Sequence, residues 1–439
     1  MCKALSHRLA PHLCLLGSVK YLCVTRLREL APKLDYPQAM VLQRRMFLAG
    51  IGGAASVAMP PVAYASPAAG GVGISVRDFG AVGDSIADDA PAFQSAIRAA
   101  ETMTPRGFVS IPQGAYRLNS GLVFTQHSTG LIGDQNGTWL NYDGDDANAI
   151  EIACGGATRL ENLRLTKTGG SGANGIVFNY TGEATTNYQN TLRNVAVGDF
   201  TTGNGVDFSG SECGLFDGVQ VMDCGVGFYC GMNPSGGGEA LNNVFQRCRA
   251  QSCRISAWDI NYCCGTTFMG CQALLSGLGE LDAPQFLARG GCRGNTFWAL
   301  DVENPTGTPH RGIGLKCSGS EHIINLFSYG LDCGVYLSAA TGCVVLGGKY
   351  SSVTTPVHIA VSSAGNTILA GNSPTITDAS EVGSNIILSK FGLRSPQGVT
   401  VNRPAASSAG AGAMWFDTTL CKPVWSDGSA WHDALGAPQ

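Results

Sequence analysis

The chain has 439 residues, of which 44% are hydrophobic, only 14% are charged and 60 are glycine. That apolar share excludes a globally disordered chain, and sparse charge with abundant glycine points to an all-β protein with many turns. The formal charge of −4 hides a split: residues 1–65 hold eight Lys and Arg against two Asp and Glu, which leaves 20 basic and 30 acidic side chains in the rest. An acidic body without a basic cluster excludes a general nucleic-acid binder.

Residues 1–65 read as a leader. Arg44-Arg45-Met46-Phe47-Leu48 precedes an apolar run at 49–58, and Ala63-Tyr64-Ala65 precedes Ser66. The series resembles a twin-arginine export signal with a small-residue cleavage site. It implies a periplasmic or extracellular protein. The apolar run is shorter than the ~20 residues of a membrane-spanning helix, so no membrane insertion is expected once the signal is removed. Residues 1–39 match no part of such a signal, and Met40 sits where a start would make sense. The expectation is that 1–39 over-extend the reading frame.

Next comes Val76-Arg77-Asp78-Phe79-Gly80-Ala81-Val82-Gly83-Asp84, then Asp88-Asp89-Ala90-Pro91-Ala92-Phe93-Gln94-Ser95-Ala96-Ile97. This predicts a strand, a glycine turn and a helix over 89–101. Asp88 or Asp89 would cap it, Pro91 would sit in its first turn, and Ala92, Phe93, Ala96, Ile97 and Ala100 would form its apolar face. Val109-Ser110-Ile111-Pro112-Gln113-Gly114-Ala115-Tyr116 follows. The whole series resembles the opening of the pectate-lyase-like family, which includes rhamnogalacturonases, epimerase-like proteins and phage tailspikes. The resemblance implies a right-handed parallel β-helix whose N-terminal end the helix covers.

From 150 to 390 the chain repeats irregularly. The units are Leu160-Glu161-Asn162-Leu163-Arg164-Leu165, Leu192-Arg193-Asn194-Val195-Ala196-Val197 and Phe216-Asp217-Gly218-Val219-Gln220-Val221, then Phe245-Gln246-Arg247-Cys248-Arg249-Ala250, Phe268-Met269-Gly270-Cys271-Gln272-Ala273 and Phe297-Trp298-Ala299-Leu300-Asp301-Val302. They recur at steps of 32, 24, 29, 23 and 29 residues. Each unit reads as two short strands meeting at a bend, one coil of a solenoid. The repeat predicts an all-β solenoid of about nine to eleven coils between 120 and 390, which the resemblance makes a right-handed parallel β-helix, in a domain over 66–395.

Fourteen cysteines lie between Cys154 and Cys421. Cys248 and Cys271 share one inward slot, and Cys224 and Cys253 another, so they read as small buried thiols in a ladder. Cys263 and Cys264 should face opposite sides of a strand. Residues 396–439 read as a linker followed by an aromatic hairpin, Met414-Trp415-Phe416-Asp417 and Lys422-Pro423-Val424-Trp425-Ser426-Asp427-Gly428, then Trp431. The tail is similar to C-terminal modules of phage tail fibres and tailspikes, which implies packing on the β-helix or on other copies, as in a homotrimer. A sugar-stacking role for its tryptophans is the alternative.

Aligning the repeats puts Arg164, Ala196, Gln220, Arg249, Gln272 and Asp301 in one outward column, with Glu303 two residues beyond. Asp301 and Glu303 lie ~7 Å apart along a strand, a spacing suited to an acid paired with a nucleophile or base in glycoside hydrolysis. Gln272, Gln220 and Arg164 would bind substrate. By the pectate-lyase resemblance, Arg249 would instead be the base of a β-elimination, with Ca2+ neutralising a uronate. Asp223, Glu239, Asp259, Glu280, Asp282, His310, Arg311 and His322 are expected in turns bordering that face. Polygalacturonases carry Gly-His-Gly and Arg-Ile-Lys; this chain has neither. The readings are an exported enzyme cleaving an acidic polysaccharide, a glycan-binding β-helix without turnover, or a tailspike-like receptor-binding protein.

Overall fold

The structure is a computed structural model. It describes residues 73–439 except for short stretches at 135–136, 170–171, 180–186, 232–238, 278–282, 305–311, 372–375, 381–383, 390–391 and 395–396. The leader and Glu280, Asp282, His310 and Arg311 therefore lie outside the described residues.

The chain winds as a right-handed parallel β-helix. One wholly parallel sheet of eleven strands runs from Leu122–Phe124 to Ile376–Asp378. A twenty-stranded sheet holds the two strands that each repeat unit contributes. A short parallel sheet of four strands, from Asn187–Tyr188 to Cys263–Cys264, closes a corner of the middle coils. The repeat register is the one the sequence predicts: Leu160 pairs with Leu192, Leu192 with Phe216, Phe216 with Phe245, Phe245 with Phe268 and Phe268 with Phe297.

The third residue of each unit makes the bend. Asn162, Asn194, Gly218, Arg247, Gly270 and Ala299 all have φ between 51° and 65°. A left-handed residue reverses the pleat, so apolar side chains on both flanking strands turn inward. For a residue with a Cβ this conformation costs about 1 kcal/mol or more. The ladder offsets the cost, because the bends stay within it: the N–H of Gly218 donates to Gln246 O, that of Arg247 to Met269 O and that of Gly270 to Trp298 O, at 2.9–3.0 Å.

Two aromatic stacks fill the coil interior. Phe216, Phe245, Phe268 and Phe297 stack at 4.1, 5.1 and 5.2 Å between ring centres. Phe228, Trp258 and Phe286 stack at 3.9 and 5.2 Å. The two stacks meet edge to face, as where Phe245 and Phe268 abut Trp258. At a corner of the coil, buried amides form a second ladder. Asn243, Asn295 and Asn366 each accept a backbone N–H from the preceding coil at 2.8–2.9 Å, from Gly214, Thr266 and Cys343. His322 occupies a rung of this ladder.

Ala90–Thr102 forms the expected helix, and Ala92, Phe93, Ala96, Ile97 and Ala100 are all buried. Of the two capping candidates the structure selects Asp88. Asp88 accepts from the N–H of Ala90 at 3.1 Å, whereas the buried Asp89 turns back and accepts from Val82 and Gly83 at 2.6 and 3.1 Å. Asp89 thus pins the glycine turn rather than the helix. At the other end, Gly392–Arg394 folds back antiparallel on Ile386–Ser389.

All fourteen cysteines from Cys154 to Cys421 are free thiols, and all but Cys213 and Cys421 are buried. Cys263 and Cys264 are both buried, since the corner strand they occupy is covered on both faces. The tail is more than a hairpin. Ala411–Asp417, Lys422–Asp427 and Trp431–His432 form an antiparallel meander, with Gln397–Gly398 added in parallel. The Asp427-Gly428 turn leads to the third strand, and residues 418–421 connect the first two. Trp415 and Trp431 are buried with Val424 and Ala406 in a core of their own, and their indole N–H groups donate to Gly398 O and Pro404 O. Of the three tail tryptophans only Trp425 is exposed. No helix among the described residues is long and apolar enough to cross a membrane.

Candidate functional site

The outward column forms as the repeat alignment predicts. Arg164 pairs in register with Ala196, Ala196 with Gln220, Gln220 with Arg249, Arg249 with Gln272 and Gln272 with Asp301. The column extends further at both ends, to Trp139 beside Arg164 and to Phe327 and Lys349 beyond Asp301. A parallel column two residues on holds Gln251, Leu274, Glu303, Tyr329 and Ser351. Parallel in-register pairing fixes these neighbours ~4.8 Å apart, so the face is a regular grid of side chains.

The acid pair occupies the C-terminal half of this grid. Gln272 Nε2 donates to Asp301 Oδ2 at 3.0 Å. Asp301 Oδ1 is buried, and the Glu303 carboxyl lies within hydrogen-bonding reach of Asp301. Burial raises the pKa of Glu303 above the usual carboxylate range, and the neighbouring Asp301 charge adds to the shift. One strand therefore presents Asp301, anchored by an amide, next to Glu303, whose carboxyl resists ionisation. Phe327 and Tyr329 lie one coil on, next to Asp301 and Glu303, with the Lys349 ammonium 5.4 Å from the Phe327 ring centre. Such an aromatic and cationic shelf can take the apolar face of a sugar and its carboxylate.

Arg249 stands two coils away from Asp301 with Gln272 between them, and its guanidinium donates to Gln251 Oε1. Its Nε is buried without a protein partner. Gln220 and Arg164 are exposed on the same column. Among the described residues no group of three or more His, Cys, Asp or Glu side chains is placed to hold a metal ion. Two carboxylates and an amide fall short of the six to eight oxygens that Ca2+ takes, so the site does not fit a protein-caged ion.

The other acidic and histidine candidates sit elsewhere. Asp259 is on the eleven-stranded sheet, where Arg289 grips it bidentately at 2.7 and 2.6 Å. Glu239 pairs with Arg293 at 2.5 Å. Asp223 makes a left-handed bend. His322 is fully buried in the amide ladder. The sequence reading missed Trp139, Phe327, Tyr329 and Lys349. Trp139 had a legible signal, an exposed-type aromatic flanked by the inward Thr138 and Leu140, but its unit lies before the repeats become regular.

Known proteins place the fold. The model of the family described as "Rhamnogalacturonase A/epimerase, pectate lyase-like" matches residues 73–145. The plasmin and fibronectin-binding protein A of Streptococcus pneumoniae is 30% identical over a stretch covering 34% of this chain, and that stretch is 24% of that protein's length. Among solved structures, the ORF18 protein of Geobacillus virus E2 superposes with a TM-score of 0.56 at 16% identity, over 73% of this chain and 61% of that one. Tailspike protein 3 of bacteriophage CBA120 gives 0.45 at 15%, over 83% and 69%. The chain thus spans about a quarter of its curated relative and under two thirds of the viral ORF18 chain.

Proposed function

We propose that the protein is an exported enzyme that cleaves glycosidic bonds of an acidic polysaccharide by hydrolysis, with Asp301 and Glu303 as its acid pair. One observation carries this reading: two carboxyl groups alternate on one strand of the outward face, Asp301 fixed by the Gln272 amide and Glu303 held above the usual carboxylate range by burial. Glu303, which keeps its proton to higher pH, donates it to the glycosidic oxygen as the bond breaks. Asp301, oriented by Gln272, offers its second oxygen to the developing positive charge at the anomeric carbon or to an attacking water. Gln220, Gln272 and Arg249 line the path of the chain, and Arg249 supplies positive charge for a substrate carboxylate. The twin-arginine-like leader supports export. Incubation with polygalacturonate, alginate and glucuronate-rich glycans tests the reading. New reducing ends lost in Glu303→Gln and Asp301→Asn support hydrolysis. Unsaturated ends absorbing near 235 nm would instead assign elimination, with Arg249 as the base to examine.

A second reading rests on the streptococcal relative, whose name records binding to plasmin and fibronectin. On that reading the grid is a binding surface without turnover. Retention on immobilised polysaccharide or on fibronectin, with no cleavage product from any glycan, would favour it.

A further inference from the structure

The N-terminal half of the outward face carries a groove that the acid pair does not use. It has a volume of about 420 Å³ and is lined by Gly137, Thr138, Trp139, Asn162, Arg164 and Asn194, among others. Trp139 is 48% exposed although both its strand neighbours are buried. The Arg164 guanidinium lies 5.3 Å from the centre of the Trp139 ring, and its Nε donates to Thr166 Oγ1 at 3.3 Å. Its two terminal nitrogens have no hydrogen-bond partner among the described residues. At the bend, Asn194 Nδ2 donates to Asn162 Oδ1 at 3.1 Å, which fixes both side chains and leaves the Asn194 side-chain oxygen and the Asn162 NH2 without a further partner among the described residues. Among the described residues no carboxylate lines the groove. The nearby Glu161 is already committed to Arg159 at 2.6 Å.

These groups match one ligand chemistry. An indole face left in water accepts the C–H face of a pyranose ring. A guanidinium with free terminal N–H groups in a site without acids accepts a carboxylate. Fixed amides beside them accept and donate to hydroxyls. The register places the groove five ladder steps from Asp301, through Ala196, Gln220, Arg249 and Gln272. That is about 24 Å along the axis, further than a disaccharide reaches.

We infer that the Trp139–Arg164 groove is a distal subsite for a single carboxylate-bearing sugar of a polymer laid along the solenoid axis toward the acid pair. The inference rests on the proposed polysaccharide substrate but not on its cleavage. It makes the enzyme selective for long uronate chains, because a short one cannot touch both places at once.

Calorimetric titration of the full chain with uronic acid trimers (galacturonate, mannuronate, guluronate and glucuronate) tests it, with carboxyl-reduced trimers as controls. At least one uronate trimer is expected to bind. Trp139→Ala and Arg164→Gln should each weaken that binding about tenfold or more, and Val401→Ala, an exposed change in the tail, should leave it unchanged. On the polymer, Trp139→Ala should raise KM with little change in kcat. Binding that survives Trp139→Ala, equal binding of the carboxyl-reduced trimer, or no binding by any trimer overturns the inference. The two readings fail separately. Trimer binding that depends on Trp139 without cleavage of any polymer retires the hydrolase and keeps the subsite, whereas cleavage with a KM indifferent to Trp139 does the reverse.

Discussion

Replacing His322 with asparagine should remove a specific part of the protein's sensitivity to acid. The imidazole is fully buried, its Nδ1 accepts the N–H of Asn295 at 3.2 Å, and its Nε2 donates to the carbonyl of Ser318 at 3.0 Å. Protonation would turn Nδ1 into a donor facing a donor. Burial lowers the pKa of His322 from 6.5 to about 4, against the Ser318 bond and the Glu321 charge, which both favour the cation. The folded state therefore binds fewer protons than the unfolded state between those values. Stability from this residue is complete above pH 6.5 and is lost as pH falls toward about 4. At 1.36 kcal/mol per unit, the full loss is about 3 kcal/mol. An asparagine at this rung can accept the same N–H, as Asn295 and Asn366 do on their own coils. Urea denaturation at pH 7 and pH 4.5 should find His322→Asn close to the parent at pH 7 and about 2–3 kcal/mol less acid-sensitive. Carboxylates shared by both proteins cancel in the comparison. Equal acid sensitivity of the two proteins would refute the assignment of a neutral ring to the ladder.

Phe268→Ala, which removes a ring stacked between Phe245 and Phe297, should cost ~3–5 kcal/mol in urea unfolding. Met269→Ala, one residue on and exposed, should stay within ~0.5 kcal/mol. Asp301→Asn and Glu303→Gln should each lower turnover by about two orders of magnitude or more, with thermal unfolding nearly unchanged. Because the Asp301 charge adds to the raised pKa of Glu303, the alkaline limb of kcat/KM should move to lower pH in the residual activity of Asp301→Asn; a limb that stays in place would exclude Glu303 as the acid. Thiol labelling of the folded chain followed by peptide mass spectrometry should modify Cys213 and Cys421 and spare the other cysteines between them and back to Cys154 until the chain is denatured.

The middle coils were legible because each repeat meets the same local demands. An apolar residue, a bend and a second apolar strand recur even where the bend falls on Arg247 or Ala299, residues with no intrinsic liking for a left-handed conformation. There the tertiary ladder overrides local preference, and the flanking apolar spacing still reveals the bend. The acid pair followed from that alignment alone, since Asp301 and Glu303 alternate with the inward Leu300 and Val302. The shelf beyond it was hidden by irregular pairing. Between Phe297 and Leu300 the partner strand is one residue shorter, and between Ile324 and Leu326 the next strand is one residue longer, with Leu346 and Gly347 opposite the single Asn325. A fixed count from one unit to the next therefore misplaces Phe327, Tyr329 and Lys349. His322 was misjudged for a different reason: its neighbours in sequence, Glu321 and Ser320, suggest a polar turn, while the rung it fills is defined only by Asn295 one coil away.

The left-handed corners have a consequence for how such a chain can change over generations. Each coil returns to the same corners whether it uses 23 residues or 32 to do so, so the stack behaves as a set of plates whose outlines vary independently. Length added between corners alters one plate's rim and leaves the others in phase. Gain or loss of a whole plate between Arg164 and Asp301 would instead move the two ends of the outward face apart or together by one increment of ~4.8 Å. The reach of that face is thus quantised in steps of one coil.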